Sequence, residues 1–166
     1  MKTDKVYLVG FMGAGKTSVG RALAKRLDWR FMDIDEHIEA REHLTVSDIF
    51  QRHGEPHFRG VERSVLVDQV PVRHTVVATG GGTFVDPQNR AIIKADGAAV
   101  WLDVPLERVI ARIPQDGRRP LAADRTNLER LFHSRRPAYE QAHLHLDASR
   151  VPVESLVDQL VDWLET

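Results

Sequence analysis

VYLVGFMGAGKT, residues 6–17, joins a run of apolar residues to the pattern G-x-x-x-x-G-K-T, which spans Gly10 to Thr17. The run VYLVG (6–10) reads as a buried strand. Directly after the motif, Val19, Ala22, Leu23, Ala24 and Leu27 fall on one broad helical face, with Arg21, Lys25 and Arg26 left for solvent. Strand, glycine-bearing loop and helix form the setting in which this motif binds phosphate. The glycines let successive backbone N–H groups converge on one anion, and the helix start adds its partial positive charge. Gly13, Ala14, Gly15, Lys16, Thr17 and Ser18 are therefore the expected nucleotide-binding residues. Lys16 is expected to reach the β- and γ-phosphates, and the Thr17 hydroxyl to meet Mg²⁺.

Outward from this junction, short apolar runs alternate with amphipathic stretches, the pattern of an α/β protein with a mainly parallel sheet. Further strands are expected at 31–34, 75–79, 98–102 and, less regularly patterned, 143–147. Leu156, Val157, Leu160, Val161 and Leu164 mark a C-terminal helix that packs on the sheet. Residues 47–70 read as a broken pair of helices, because Gly54 and Pro56 supply a stop and a fresh start. IPQDGRRPLAAD, 113–124, has no apolar period and reads as a loop of functional length, with Arg118 and Arg119 suited to neutralise phosphate charge.

With 166 residues the chain has room for about one domain, taken as 1–166. At 42% hydrophobic and 28% charged it can bury roughly 70% of its unfolded surface, which excludes global disorder. The formal net charge of -1 provides no overall field for nucleic acid or an anionic membrane, so an anion must find a local site. The absence of cysteine excludes disulfides, thiolate catalysis and cysteine-based zinc sites. No apolar run approaches the ~18 residues of a membrane span, and no signal segment is legible at the start. A cytoplasmic, monomeric protein without nucleic-acid or membrane partners is the expectation.

Three further features carry chemistry. Asp33 and Asp35 are expected to end the second strand with their carboxylates on one side, one serving a Mg²⁺ shell and the other orienting or deprotonating a hydroxyl. Thr79-Gly80-Gly81-Gly82-Thr83 follows the third strand, and its three glycines leave backbone amides open to a ligand. Arg59, in the first turns of a helix, and the pair Arg135 and Arg136, near the end of another, offer forks for a carboxylate. The eight histidines lack a legible metal-ligand spacing, and Trp29, Trp101 and Trp163 read as packing residues.

Taken together, GFMGAGKT, the D-x-D of MDIDEHIE, GEPHFRGVE, TGGG, RPL and the R-x-P-x-Y of RRPAY resemble the shikimate kinase family in order and spacing over essentially the whole chain. The resemblance implies a three-layer α/β/α P-loop kinase of the nucleoside-monophosphate-kinase type, with a five-stranded parallel sheet of order 2-3-1-4-5. It divides the chain into a core (about 1–34, 74–112 and 143–166), substrate-binding helices (about 35–70) and a lid (about 113–124). It implies transfer of the γ-phosphoryl group of ATP to the 3-hydroxyl of shikimate. A related kinase acting on gluconate, an aminoshikimate or a nucleotide, and a weakly active nucleotide-binding module, are the alternatives. On the resemblance, Lys16, Asp35 and Arg119 are catalytic, Thr17 and Asp33 hold Mg²⁺, and Arg112 lies near adenine. Asp35, Arg59, Gly80, Gly81, Gly82 and Arg135 bind shikimate, with Arg136 an alternative to Arg135, which is preferred because it sets the R-x-P-x-Y register. Pro56 within the substrate motif and Ala122 where the family more often has leucine are departures from the pattern.

Overall fold

The computed structural model describes residues 1–112 and 125–166. The segment 113–124, with Arg118, Arg119, Leu121 and Ala122, lies outside the described residues. In chain order the elements are β1 (Lys5–Val9), α1 (Lys16–Leu27), β2 (Arg30–Asp33), α2 (Ile34–Glu42), α3 (Val46–Gln69), β3 (Thr75–Ala78), a 3₁₀ turn (Thr83–Val85), α4 (Pro87–Asp96), β4 (Ala98–Asp103), α5 (Leu106–Arg112), α6 (Arg125–Tyr139), β5 (Leu144–Asp147) and α7 (Val153–Glu165). The strands form one parallel sheet of order β2-β3-β1-β4-β5.

Every residue of β1 and β3 is buried, as are the first five of β4, because the three central strands are covered on both faces. At the sheet edges, β2 and β5 carry Arg30, Asp33, His145 and Asp147, and only Met32 and Leu146 are buried there. α1 packs against α7 and the inner strands, and α4 against β4 and α3, giving three layers. Among the described residues no helix is long and apolar enough to cross a membrane.

The strand ends differ from expectation by a residue or so, and at one of them the difference matters. β2 stops at Asp33, and α2 starts at once, so Asp35 sits in the first turn of a helix and not at an extended strand end. The cause is local: Asp33, still extended, caps α2 by accepting the Glu36 amide at 3.2 Å. The break expected in 47–70 is present. Gly54 leaves the helical region (φ 82°, ψ 167°), and Pro56 falls in the first turn of the resumed helix, where its missing N–H costs no intrahelical bond.

The amino-terminal end of the sheet is tied by a charge cluster. Lys5, fully buried, pairs with Asp96 at 3.0 Å, and the Tyr7 hydroxyl donates to the same carboxylate at 2.6 Å. Arg73 links that carboxylate to Asp4. Burial pushes the Lys5 ammonium below and the Tyr7 phenol above their ordinary ranges. Burial alone would raise Asp96 too, yet donors from Tyr7, Arg73 and Lys5 hold it low. The carboxyl ends of the strands, at the other edge, are left for the loops that carry chemistry.

Candidate active site

At those carboxyl ends lies a cleft of about 380 Å³, walled by residues 12–19, Asp33, Asp35, Thr79, Gly80, Gly81 and Arg112. The loop from β1 to α1 turns through positive φ at Gly13 and Gly15, and Gly15 is the cap residue immediately before α1. Lys16 is nearly buried, and its Nζ donates to the carbonyls of Gly10 at 2.5 Å and Phe11 at 3.1 Å. Thr17 Oγ1 donates to Asp33 Oδ2 at 2.9 Å, which brings the two expected metal ligands together. Arg112, ending α5, leans on the loop by donating to the Gly13 carbonyl at 3.1 Å. Ser18 also faces the cleft.

A second, smaller cavity of about 60 Å³ is lined by Val46, Phe50 and Phe58 on its apolar side. Arg59, Glu62, Arg135 and the glycines 80–82 form the polar side. The two cavities share Met12, Asp35, Gly80 and Gly81 as walls, so they meet at the Asp35 carboxylate. α2 therefore delivers Asp35 to the boundary between a phosphate cradle and a basic chamber.

The two chamber arginines are held differently. Arg59 Nη1 donates to both oxygens of Glu62, at 3.0 and 3.2 Å, and Glu62 is fully buried. Arg135, only 6% exposed, stands over the Phe11 ring at 5.7 Å and has no carboxylate partner among the described residues. Burial pulls its pKa below the usual guanidinium range, although the group stays charged. A buried cation without a counter-charge is costly, and a bound anion relieves that cost. Its neighbour Arg136 points elsewhere: it pairs with Asp103 at 3.2 Å and lies over Trp101 and Phe132. Tyr139, one turn beyond Arg135, is buried and its phenol pKa is pushed up to about 12. Its hydroxyl donates to the Gly81 carbonyl.

Each of the three consecutive glycines accommodates one functional side chain. A Cβ at Gly80 would come within 2.9 Å of Asp35 Oδ1, one at Gly81 within 2.9 Å of Arg135 Nη1, and one at Gly82 within 2.5 to 2.7 Å of the Arg59 guanidinium. The run thus makes room for protein groups as well as for a ligand. The Gly80 amide, expected to face ligand, is instead engaged by Thr83 Oγ1 at 3.0 Å.

Glu62, Thr83 and Tyr139 were not expected at the site. Glu62 had a signal, its place three residues after Arg59 in GEPHFRGVE, the spacing of a helical ion pair. The histidines lie elsewhere: the His143 ring accepts the Ala99 amide, and His145 meets Asp103. Trp101 is buried, and Trp29 and Trp163 pack against the core.

Residues 12–165 match the family model described as Shikimate kinase. A shikimate kinase of Persephonella marina is 38% identical over 94% of this chain and 96% of its own length. One of Chromobacterium violaceum is 42% identical over 95% of this chain and 88% of its own. Among solved structures, a shikimate kinase from Acinetobacter baumannii in complex with shikimate superposes with a TM-score of 0.94, at 35% identity, over 98% of this chain and 93% of that one.

Proposed function

The chain belongs to the shikimate kinase family, and on that premise we propose that it transfers the γ-phosphoryl group of ATP to the 3-hydroxyl of shikimate, yielding shikimate 3-phosphate and ADP. The observation that carries this reading is the buried Arg135, which has no carboxylate partner among the described residues, beside Arg59 in a chamber that shares Asp35 with the phosphate cradle. A small cyclic carboxylate with an alcohol elsewhere on the ring matches such a chamber. The guanidinium pair clamps the carboxylate, the wall of Val46, Phe50 and Phe58 covers the ring, and the alcohol comes to lie at the Asp35 end.

On this reading Asp35 accepts the proton of the attacking hydroxyl as its oxygen bonds to the γ-phosphorus and the bond from that phosphorus to the ADP oxygen breaks. Lys16 leaves the loop carbonyls for the β- and γ-phosphate oxygens, where charge accumulates in transfer. Loop amides between Gly13 and Ser18 bind the same phosphates, and Arg112 borders the nucleotide. Arg119, outside the described residues, is assigned to the phosphates on the family resemblance alone.

The Thr17 hydroxyl and Asp33 carboxylate, 2.9 Å apart on the cleft wall, are hard oxygen donors and fit Mg²⁺. Their small number is in keeping with an ion that takes most of its ligands from water and phosphate. When bound, that ion neutralises phosphate charge.

The test is a substrate screen with ATP and Mg²⁺ against shikimate, gluconate and the nucleoside monophosphates. Rapid ADP release with shikimate alone, and a product one phosphoryl group heavier, is the expected result. Turnover of another acceptor in preference to shikimate, or of none, overturns the assignment. A steric variant tests the chamber. Gly82→Ala places a methyl group against the Arg59 guanidinium and should raise the KM for shikimate about tenfold or more, leaving the KM for ATP within twofold. Initial rates with each substrate varied in turn measure both.

A further inference from the structure

Thr83, the residue after the three glycines, is fully buried, and both hydrogen-bonding capacities of its hydroxyl are in use. Thr83 Oγ1 donates to Glu62 Oε2 at 2.9 Å and accepts from the Gly80 amide at 3.0 Å. Each partner in turn governs one side of the active site. Glu62 holds Arg59 through bonds to both its oxygens. Gly80 sits so close to Asp35 that a Cβ there would lie 2.9 Å from Oδ1. One hydroxyl thus connects the arginine that faces the substrate carboxylate with the backbone against which the proton-accepting carboxylate rests.

We propose that Thr83 is a positioning residue of the acceptor site: its hydroxyl, by bridging Glu62 and Gly80, fixes the distance between Arg59 and Asp35 and so the fit of shikimate between them. This rests on the proposed transfer to shikimate for its kinetic consequences, but not for its effect on Arg59 itself. The alternatives for Arg59 are weak. Its other carboxylate partner, Glu55, is exposed and lies at 3.4 Å, a contact of little energetic weight. Glu62, in contrast, has only Arg59 and Thr83 as side-chain donors among the described residues. Removing the hydroxyl leaves a buried carboxylate oxygen and a buried amide each short of a partner, and both relax by moving.

The experiment compares Thr83→Val, nearly the same shape without the hydroxyl, with Thr83→Ser, which keeps the hydroxyl and loses the methyl. Thr83→Val should raise the KM for shikimate about tenfold, lower kcat less, and leave the KM for ATP within twofold. Thr83→Ser should stay within about twofold of wild type on all three. Thr83→Ala takes the place of the valine variant should that fail to fold, since it also lacks the hydroxyl. In the ligand-free protein, the ¹⁵N guanidinium resonances of Arg59 should shift and broaden in the hydroxyl-free variant and not in Thr83→Ser. Unchanged resonances in the hydroxyl-free variant, or equal damage in both variants, overturns the positioning role, the second outcome assigning Thr83 to packing alone. These resonances need no substrate. Shifted resonances in a protein whose wild type ignores shikimate would therefore refute the substrate assignment and uphold the bridge.

Discussion

Lys16→Ala should lower kcat for shikimate phosphorylation by at least about 10³-fold, to the limit of a coupled ADP-release assay. The reason lies in where the ammonium is held. Lys16 is 9% exposed and donates to the carbonyls of Gly10 and Phe11, the two residues that open the phosphate loop. Its charge is therefore carried at the floor of the cleft, where water screens it little and where a short movement exchanges neutral carbonyl acceptors for phosphate oxygens. Alanine removes the charge and leaves the two carbonyls to water. The fold should survive, because α1 is anchored by Val19, Leu23 and Ala24 rather than by this side chain. A circular-dichroism spectrum matching wild type, with turnover lost, is the expected pair of results. Turnover within tenfold of wild type would remove Lys16 from the chemistry.

Asp35→Asn should lower kcat by about 10²- to 10⁴-fold, the usual weight of a positioned general base. Asparagine has nearly the same outline, so the close approach to Gly80 is preserved and the boundary between the two cavities keeps its shape. What it lacks is a basic oxygen able to take the proton from the attacking alcohol. The KM for ATP should remain within about threefold of wild type, because the phosphate loop and Thr17 are untouched. Single-turnover measurements at saturating substrates separate this loss from weaker binding. If kcat stays within fivefold of wild type, Asp35 orients the alcohol without accepting its proton.

The phosphate loop was legible because its chemistry is local: eight consecutive residues fix the turn, the cation and the hydroxyl, and an apolar run and an amphipathic stretch fix what flanks them. The break in α3 was legible for the same reason, since Gly54 and Pro56 act on their own backbone. Asp35 shows where locality misleads. Alternation suggested a continuing strand, but Asp33 is a strong helix cap, and the cap ended the strand two residues earlier than the D-x-D spacing implied. Arg135 and Arg136 could not be separated from sequence by chemistry, being identical neighbours. On a helix they point about 100° apart, and only tertiary packing decides that one faces the chamber and the other Asp103. Thr83 and Tyr139 were out of reach because their partners are 21 and 58 residues away. In sequence the three glycines signal an opening for ligand, and nothing there marks that Asp35, Arg135 and Arg59 each press against one of them.

The common wall of the two cavities bears on inhibitor chemistry. Because Met12, Asp35, Gly80 and Gly81 border both spaces, a compound in one lies against the same residues as a compound in the other. A single bisubstrate compound, a polyphosphate tail tethered to a carboxylated ring, can occupy both at once. It then loses the rigid-body freedom of one molecule where two separate ligands would lose that of two, so its affinity can exceed the product expected from either fragment alone. The tether has to pass the Asp35 carboxylate, which favours a neutral or hydrogen-bond-donating linker over an anionic one.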